Sequence, residues 1–372
     1  MSHNDLSRDD EMRAFLQDAG WGDARLQPLP GDASTRRYIR AEKGDKTAML
    51  MDQPQGAEAP VAAADASPEE RRRLGYNAVA RLAGADCARF VAVADYLRAR
   101  GLAAPALYAA NAPRGFLLLE DFGDNLYADA LTRGADATEL YGAAIDALAT
   151  LHTETAPADM NGKALFAYDE TALLAETDLL TEWFWPMAFG TPASDSLQNE
   201  HRTLWCEALQ PLKDAPRILV HRDYHAQNLL WMPERTGVAR VGLVDFQDAV
   251  AGHAAYDLIS LLEDARRDVP PELAEAMTRR YLARARPQGG DEAFRAAAAL
   301  LAAQRNAKII GIFARLAKRD GKPRYLAHLP RVWGYMARDL SHPSLVKLKT
   351  WYDRNVPNEA RAARVPVQGE FQ

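Results

Sequence analysis

Three oxygen-bearing side chains, Asp223, Asn228 and Asp245, stand at spacings that suit the binding of a hard cation. The segment His221-Arg222-Asp223-Tyr224-His225-Ala226-Gln227-Asn228 lies between two short apolar runs, and Val244-Asp245-Phe246 begins to close a third. This order puts Asp223 in the loop after one strand, Asn228 at the opening of the next and Asp245 at the end of another. Two carboxylates and an amide then reach one rim. Mg²⁺ favours such oxygen ligands and needs only one or two carboxylates when phosphates complete its shell. A carboxylate left free of metal can accept the proton of an attacking hydroxyl. Two other readings use the same residues. The aspartates can cap turns, or His221, Asp223 and His225 can ligate a transition metal. The second leaves Asn228 without a role and finds no remote histidine in a comparable motif.

The elements that must position these residues follow from periodicity. Apolar spacing predicts a helix over 5–19, ended by Gly20, then short strands within 26–52 (Thr35–Arg40 and Thr47–Met51). The Pro-, Ala- and Gln-rich stretch 53–68 reads as a loop. A helix over 87–100 ends at Gly101, and Phe116–Leu119 is a strand. Helical spacing returns over 137–153, with His152 structural at its end, and over 171–209. It breaks at 217–246 into the apolar runs Arg217–Val220, Asn228–Trp231 and Val238–Val244, then resumes from about 255 to 336; the last 20 residues or so are polar and read as a tail. A β-rich front and a helical back with an embedded hairpin region make an α+β, two-lobe plan.

Composition limits the function. The 372 residues are 48% hydrophobic and 26% charged, which excludes a disordered chain and leaves material for a large core. Lys and Arg total 45 against 51 Asp and Glu, a net charge of −6 that offers no global attraction to nucleic acid or an anionic membrane. Cys87 and Cys206 have no zinc or redox spacing, as expected in a reducing compartment. No apolar run is long enough to span a bilayer, and the polar N-terminus is unlike a secretory signal. The expectation is a cytoplasmic protein with no obligate protein partner.

The order H-R-D-x-x-x-x-N followed by D-F, each half in a strand–loop setting, is the pattern of a kinase catalytic loop and its metal-binding aspartate. On these residues the chain resembles the aminoglycoside-phosphotransferase-like kinases, relatives of the protein-kinase fold, from about Leu26 to Arg338. The stretches Gly31-Asp32-Ala33-Ser34-Thr35-Arg36-Arg37-Tyr38, Leu119-Glu120-Asp121-Phe122-Gly123 and Gly311-Ile312-Phe313-Ala314-Arg315-Leu316 resemble, more narrowly, the bacterial cell-wall amino-sugar anomeric kinases.

That resemblance implies a β-rich nucleotide lobe over 1–119, a hinge at 120–123 and a mainly helical lobe over 124–372 with the catalytic loop and substrate site. ATP, lying between the lobes, and Mg²⁺ would be the cofactors. Asp223 would be the catalytic base, and Asn228 and Asp245 the Mg²⁺ ligands. Glu120 and Phe122 would meet adenine at the hinge, and Gly31, Ser34, Thr35, Arg36 and Arg37 would cover the phosphates. The implied reaction moves the γ-phosphoryl of ATP to the anomeric hydroxyl of N-acetylmuramate or N-acetylglucosamine, in peptidoglycan recycling. A kinase for another small alcohol (an aminoglycoside, choline or homoserine) and a nucleotide-binding pseudokinase are the alternatives. No GxxxxGK[ST] occurs, so a P-loop is excluded. Two features depart from the family pattern: Met51 stands where a front-lobe lysine is expected, and the helix over 87–100 has no clear glutamate to pair with one. Arg36, Arg37 or Lys46 would then supply the positive charge.

Between Ala303 and Arg331 stand eight Lys or Arg and one acid, Asp320. At ~100° per residue, Arg305, Lys308, Arg315 and Arg319 share a sector beside an apolar face. They are either a solvated face or, for Arg305 and Lys308, the groups that meet an anionic sugar. Trp183 and Trp185, flanking Phe184, read as core or as a sugar-stacking surface.

Overall fold

Alternation with a period of two builds the front of the chain. In the computed structural model, which describes residues 7–30, 36–54, 61–82 and 86–362, five antiparallel strands form one sheet. They are β1 (Arg25–Pro28), β2 (Arg37–Lys43), β3 (Lys46–Asp52), β4 (Leu107–Asn111) and β5 (Phe116–Glu120), in the order β1-β2-β3-β5-β4. Ile39, Ala48, Leu50, Phe116 and Leu118 turn to one face, where they bury against Met12, Phe15 and Leu16 of the helix Arg8–Asp18. Each large apolar side chain buried in this way stabilises the fold by about 1.5–3 kcal/mol. Ser7 starts the helix by accepting from the Asp10 N–H, and Asp9, Asp10 and Glu11 complement the positive end of its dipole.

The register fixes what the other face presents. Tyr38 pairs with Met51, Arg40 with Met49, and Met49 with Leu119, so these residues share the opposite side of the sheet. That side lines a cavity.

Two compact units divide the described residues, each discontinuous in sequence. The first comprises Met1–Ala147, Ala158–Leu165 and Ala226–Ala249; the second comprises Leu148–Pro157, Phe166–His225 and Val250–Gln372. Besides the sheet, the first unit holds the helix Cys87–Arg98 and the hairpin of Leu229–Trp231 with Val241–Leu243. The second holds the strand pair Ile218–Val220 and Val250–Gly252 and a set of helices that includes Glu170–Leu179, Ala255–Leu262 and the 30-residue Gly290–Arg319.

The long helix is rich in alanine, the best helix former, and its middle is buried. Gly311 lets it approach the end of Glu170–Leu179: a Cβ at this position would lie 2.4 Å from the carbonyl carbon of Leu179. The predicted 171–209 helix is interrupted, turning π-helical over Leu180–Phe184 and resuming as Trp185–Phe189 and Asp195–Leu209. Phe184 is the fully buried member of the aromatic cluster; Trp183 and Trp185 are half-buried. Helix continues past the expected limit of about 336 in Val346–Asn355, and the segment expected to be a tail over the last 20 residues or so begins with the short helix Asn358–Arg361.

Candidate active site

The cavity of the first unit measures about 420 Å³ and lies under the sheet face bearing Arg36, Tyr38 and Met49. Its walls include the 120–123 connection, Asn228 and Asp245. Asn228 opens the strand Leu229–Trp231 and Asp245 follows its partner, so hairpin pairing alone brings the two together, with Asn228 Nδ2 3.5 Å from Asp245 Oδ2. An asparagine amide, which carries one oxygen, and a carboxylate at one cavity rim suit Mg²⁺, with phosphate oxygens completing its shell. The donor set therefore fits the metal.

Asp245 has a φ of 62°, a left-handed conformation that costs a non-glycine residue of order 1–3 kcal/mol. Its neighbours hold it there. Gln247 Nε2 donates to Asp245 Oδ1 at 2.9 Å, and Phe246 is buried 4.7 Å from the ring of Phe90. Arg89, on the same helix as Phe90, donates to the carbonyls of Gln247 (3.3 Å) and Ala249 (3.0 Å). Thus the helix Cys87–Arg98, which has no glutamate to pair with a lysine, anchors the metal-side segment through an arginine and a phenylalanine.

The connection between β5 and the helix Tyr127–Thr132 is pinned by ion pairs. Arg40 reaches Asp121 at 2.6 Å and Asp124 at 2.7 Å, and Arg235 reaches Glu120 at 2.5 Å. Phe122 lines the cavity and lies against Gly242, where an added Cβ would come within 2.9 Å of its ring. Of the three cations named for the phosphates, Arg36 is buried at the cavity, with Nη1 3.0 Å from Asp245 Oδ1. Strand alternation turns its neighbour Arg37 the other way, to Asp52 at 3.0 Å, which Arg8 also holds. Lys46 is exposed at the start of β3. Gly31, Ser34 and Thr35 lie outside the described residues.

Asp223 belongs to the second unit. Its loop is held from below by Asp257, on the helix Ala255–Leu262, whose carboxylate accepts the backbone N–H groups of His221 (2.7 Å) and Arg222 (2.9 Å). Arg222 has a φ of 75° and sends its guanidinium to Glu176 at 2.8 Å. Glu176 is fully buried, and Lys308 Nζ (2.8 Å), Gln304 Nε2 (3.1 Å) and the Tyr168 hydroxyl also meet it.

Burial pushes the Asp223 carboxyl upward, but the charges of Lys308, the largest opposing influence, and Arg222 outweigh it and hold Asp223 below the ordinary carboxylate range. Asp223 is therefore ionised at neutral pH and ready to accept a proton. Burial keeps His225 neutral, with a pKa of about 4, even though Asp264 and Asp223 oppose the shift. Arg305 is buried and donates to Ser260 Oγ (3.1 Å) and the Glu263 carbonyl (3.3 Å), and Ser260 in turn reaches the Arg222 carbonyl.

Sequence reasoning missed Asp257, Glu176 and Arg89. Asp257 left one signal, an acid within the apolar run Ala255-Tyr256-Asp257-Leu258-Ile259. Glu176 and Arg89 left none, since their partners are remote in the chain.

An antiparallel sheet over a cavity with an Asn–Asp pair, together with a helical unit carrying an ionised aspartate on a braced loop, defines a kinase-like phosphotransferase fold. Solved structures share it: the microcompartment-associated aminopropanol kinase matches with a TM-score of 0.58 at 16% identity, covering 91% of this chain and 99% of that one. The ADP-bound aminoglycoside phosphotransferase APH(2'')-Ib matches with a TM-score of 0.54 at 14% identity, covering 93% and 99%. The chain belongs to the phosphotransferase enzyme family, whose model matches residues 25–300. A relative from Caulobacter vibrioides named N-acetylmuramate/N-acetylglucosamine kinase is 45% identical over 355 residues, 94% of this chain and 96% of its own length. A namesake from Pseudomonas aeruginosa is 35% identical, covering 88% of this chain and 89% of its own.

Proposed function

We propose that this chain transfers the γ-phosphoryl group of ATP to the anomeric hydroxyl of N-acetylmuramate and N-acetylglucosamine. The observation that carries the substrate class is the 45% identity, over nearly the whole of both chains, to the Caulobacter vibrioides kinase of that name. The residue chemistry supports the reaction class. Asp223, ionised at neutral pH, orients the sugar hydroxyl and accepts its proton as the phosphorus–oxygen bond forms and ADP leaves. Asn228 and Asp245 hold Mg²⁺, which supplies charge neutralisation for the phosphates when bound. Backbone groups at Glu120 and Phe122 receive adenine. Gly31, Ser34, Thr35 and Arg36 serve the phosphates, and Arg37, expected beside them, pairs instead with Asp52. In this reading residues 1–119 form the nucleotide lobe, 120–123 the hinge and 124–372 the catalytic and sugar-binding lobe.

Lys308, the cation that acts most strongly on Asp223, gives the substrate side a positive character, whereas Arg305 is buried against Ser260 and the Glu263 carbonyl. That charge favours the lactyl carboxylate of N-acetylmuramate and disfavours a polycationic aminoglycoside. The test is an ADP-release assay against N-acetylmuramate, N-acetylglucosamine, kanamycin and choline. Turnover of the two amino sugars alone is expected; turnover of kanamycin or choline in their place would reassign the substrate. In the same assay Asp223→Ala should lower kcat by roughly 10²–10⁴-fold while Mg-ATP still binds. An Asp223→Ala enzyme with full activity would defeat the proton-acceptor role.

A further inference from the structure

The cavity of the first unit poses a charge problem. Its described walls carry five carboxylates, Glu120, Asp121, Asp124, Asp129 and Asp245, against one cation, Arg36. Arg235 answers Glu120, and Arg40 answers Asp121 and Asp124. Neither of those arginines is among the residues lining the cavity. On β3, Thr47, Met49 and Met51 alternate to this side and none carries a charge; Met49 lines the cavity. A triphosphate entering such a space needs a cation to meet it.

We propose that Arg36 is that cation and that it works by exchange: without nucleotide it neutralises Asp245, and when Mg-ATP binds it passes Asp245 to the metal and turns to the phosphates. The geometry carries both halves. Arg36 sits one residue before β2, on the Tyr38 and Arg40 side, so its guanidinium reaches the cavity from the strand beside β3, where Met51 stands in place of the expected lysine. Its side chain is 4% exposed, and a single nitrogen, Nη1, bonds both Asp245 Oδ1 (3.0 Å) and the Tyr38 hydroxyl (3.2 Å). Asp245 Oδ1 is an oxygen that a metal on the Asn228–Asp245 pair would use. Guanidinium and divalent ion compete for it. A planar guanidinium can also meet phosphate oxygens with two parallel hydrogen bonds, which a thioether cannot replace.

The exchange predicts effects of opposite sign from one substitution, which loss of structure does not produce. Calorimetric titration of Arg36→Met should show Mg-ATP bound roughly ten- to a hundredfold more weakly and adenosine bound as in the natural protein. Mn²⁺ alone, followed by its paramagnetic signal, should bind more tightly, because the cation that competes for Asp245 Oδ1 is gone. Arg36→Lys, which keeps the charge, should recover part of the Mg-ATP affinity and stands in should the methionine variant not fold. Unchanged Mg-ATP binding in Arg36→Met, or weaker Mn²⁺ binding, would overturn the exchange. The inference rests on the nucleotide reading, and the two fail separately. If the unsubstituted protein binds no Mg-ATP, the reading falls; if it binds while Arg36→Met binds equally well, only the role of Arg36 falls.

Discussion

Asp223 shows how charge sets the working state of a single residue. Burial raises its carboxyl; Lys308 supplies the largest opposing influence, and Arg222 adds to it. The same Lys308 is one of two cations flanking the buried Glu176. Lys308→Met should therefore act twice. It should move the acid limb of the kcat/KM profile to higher pH, because Asp223 loses its strongest cationic neighbour. It should also lower stability by about 3 kcal/mol, since a buried carboxylate then keeps one ionic partner where it had two. A pH profile and a denaturant titration on one preparation check both effects. A lower Tm with an unmoved acid limb would reduce Lys308 to a structural brace.

At the scale of elements, helices hold the loops that carry the chemistry. The helix Ala255–Leu262 gives two backbone N–H groups of the Asp223 loop their acceptors, the carboxylate oxygens of Asp257. Asp257→Ala strips both, leaving the left-handed Arg222 without its clamp. The expected outcome is a kcat lower by about 10²-fold, with ATP affinity unchanged; a fall in ATP affinity at constant kcat would contradict the assignment. The Gly311 segment, which carried part of the family resemblance, has a packing explanation. At 2.4 Å from the Leu179 backbone there is no room for a methyl group, so Gly311→Ala should destabilise by about 1–3 kcal/mol, measured as a lower midpoint in urea. Leu50→Ala, in the sheet's apolar face, should cost about 2–5 kcal/mol by leaving a cavity against Phe116 and Leu118.

For the whole molecule, proton linkage gives the clearest expectation. Burial lowers four histidines of the second unit below their ordinary value of 6.5, three of them far: His201 to about 3, and His225 and His253 to about 4. Between pH 4 and 6.5 each of these three binds its proton in the unfolded chain and not in the folded one. The unfolded state therefore holds more protons, and stability falls as pH drops through that window. Thermal melts from pH 7 to 4.5 should show Tm declining steeply, by more than about 5 °C; a flat Tm would mean that the histidines are not buried as described. Both cysteines are free, and burial pushes the Cys87 thiol up to about 11, so its thiolate is scarce at neutral pH. Among the described residues no helix is long and apolar enough to cross a membrane.

By itself the sequence determined the local features: which runs alternate as strands, which recur as helices, and that Asp223, Asn228 and Asp245 stand in loop positions next to short apolar strands. Those properties depend on neighbours a few residues apart, and pairing of two adjacent strands was enough to join Asn228 to Asp245. Only the tertiary structure decided which cation meets Asp245. Arg36 and Arg37 are adjacent and chemically identical, and the pleat sends one to the cavity and the other to Asp52. Nor did local pattern reveal Asp257, Glu176 or Arg89. Each acts on groups tens of residues away in the chain, and a charge buried for such a partner leaves no periodicity to read.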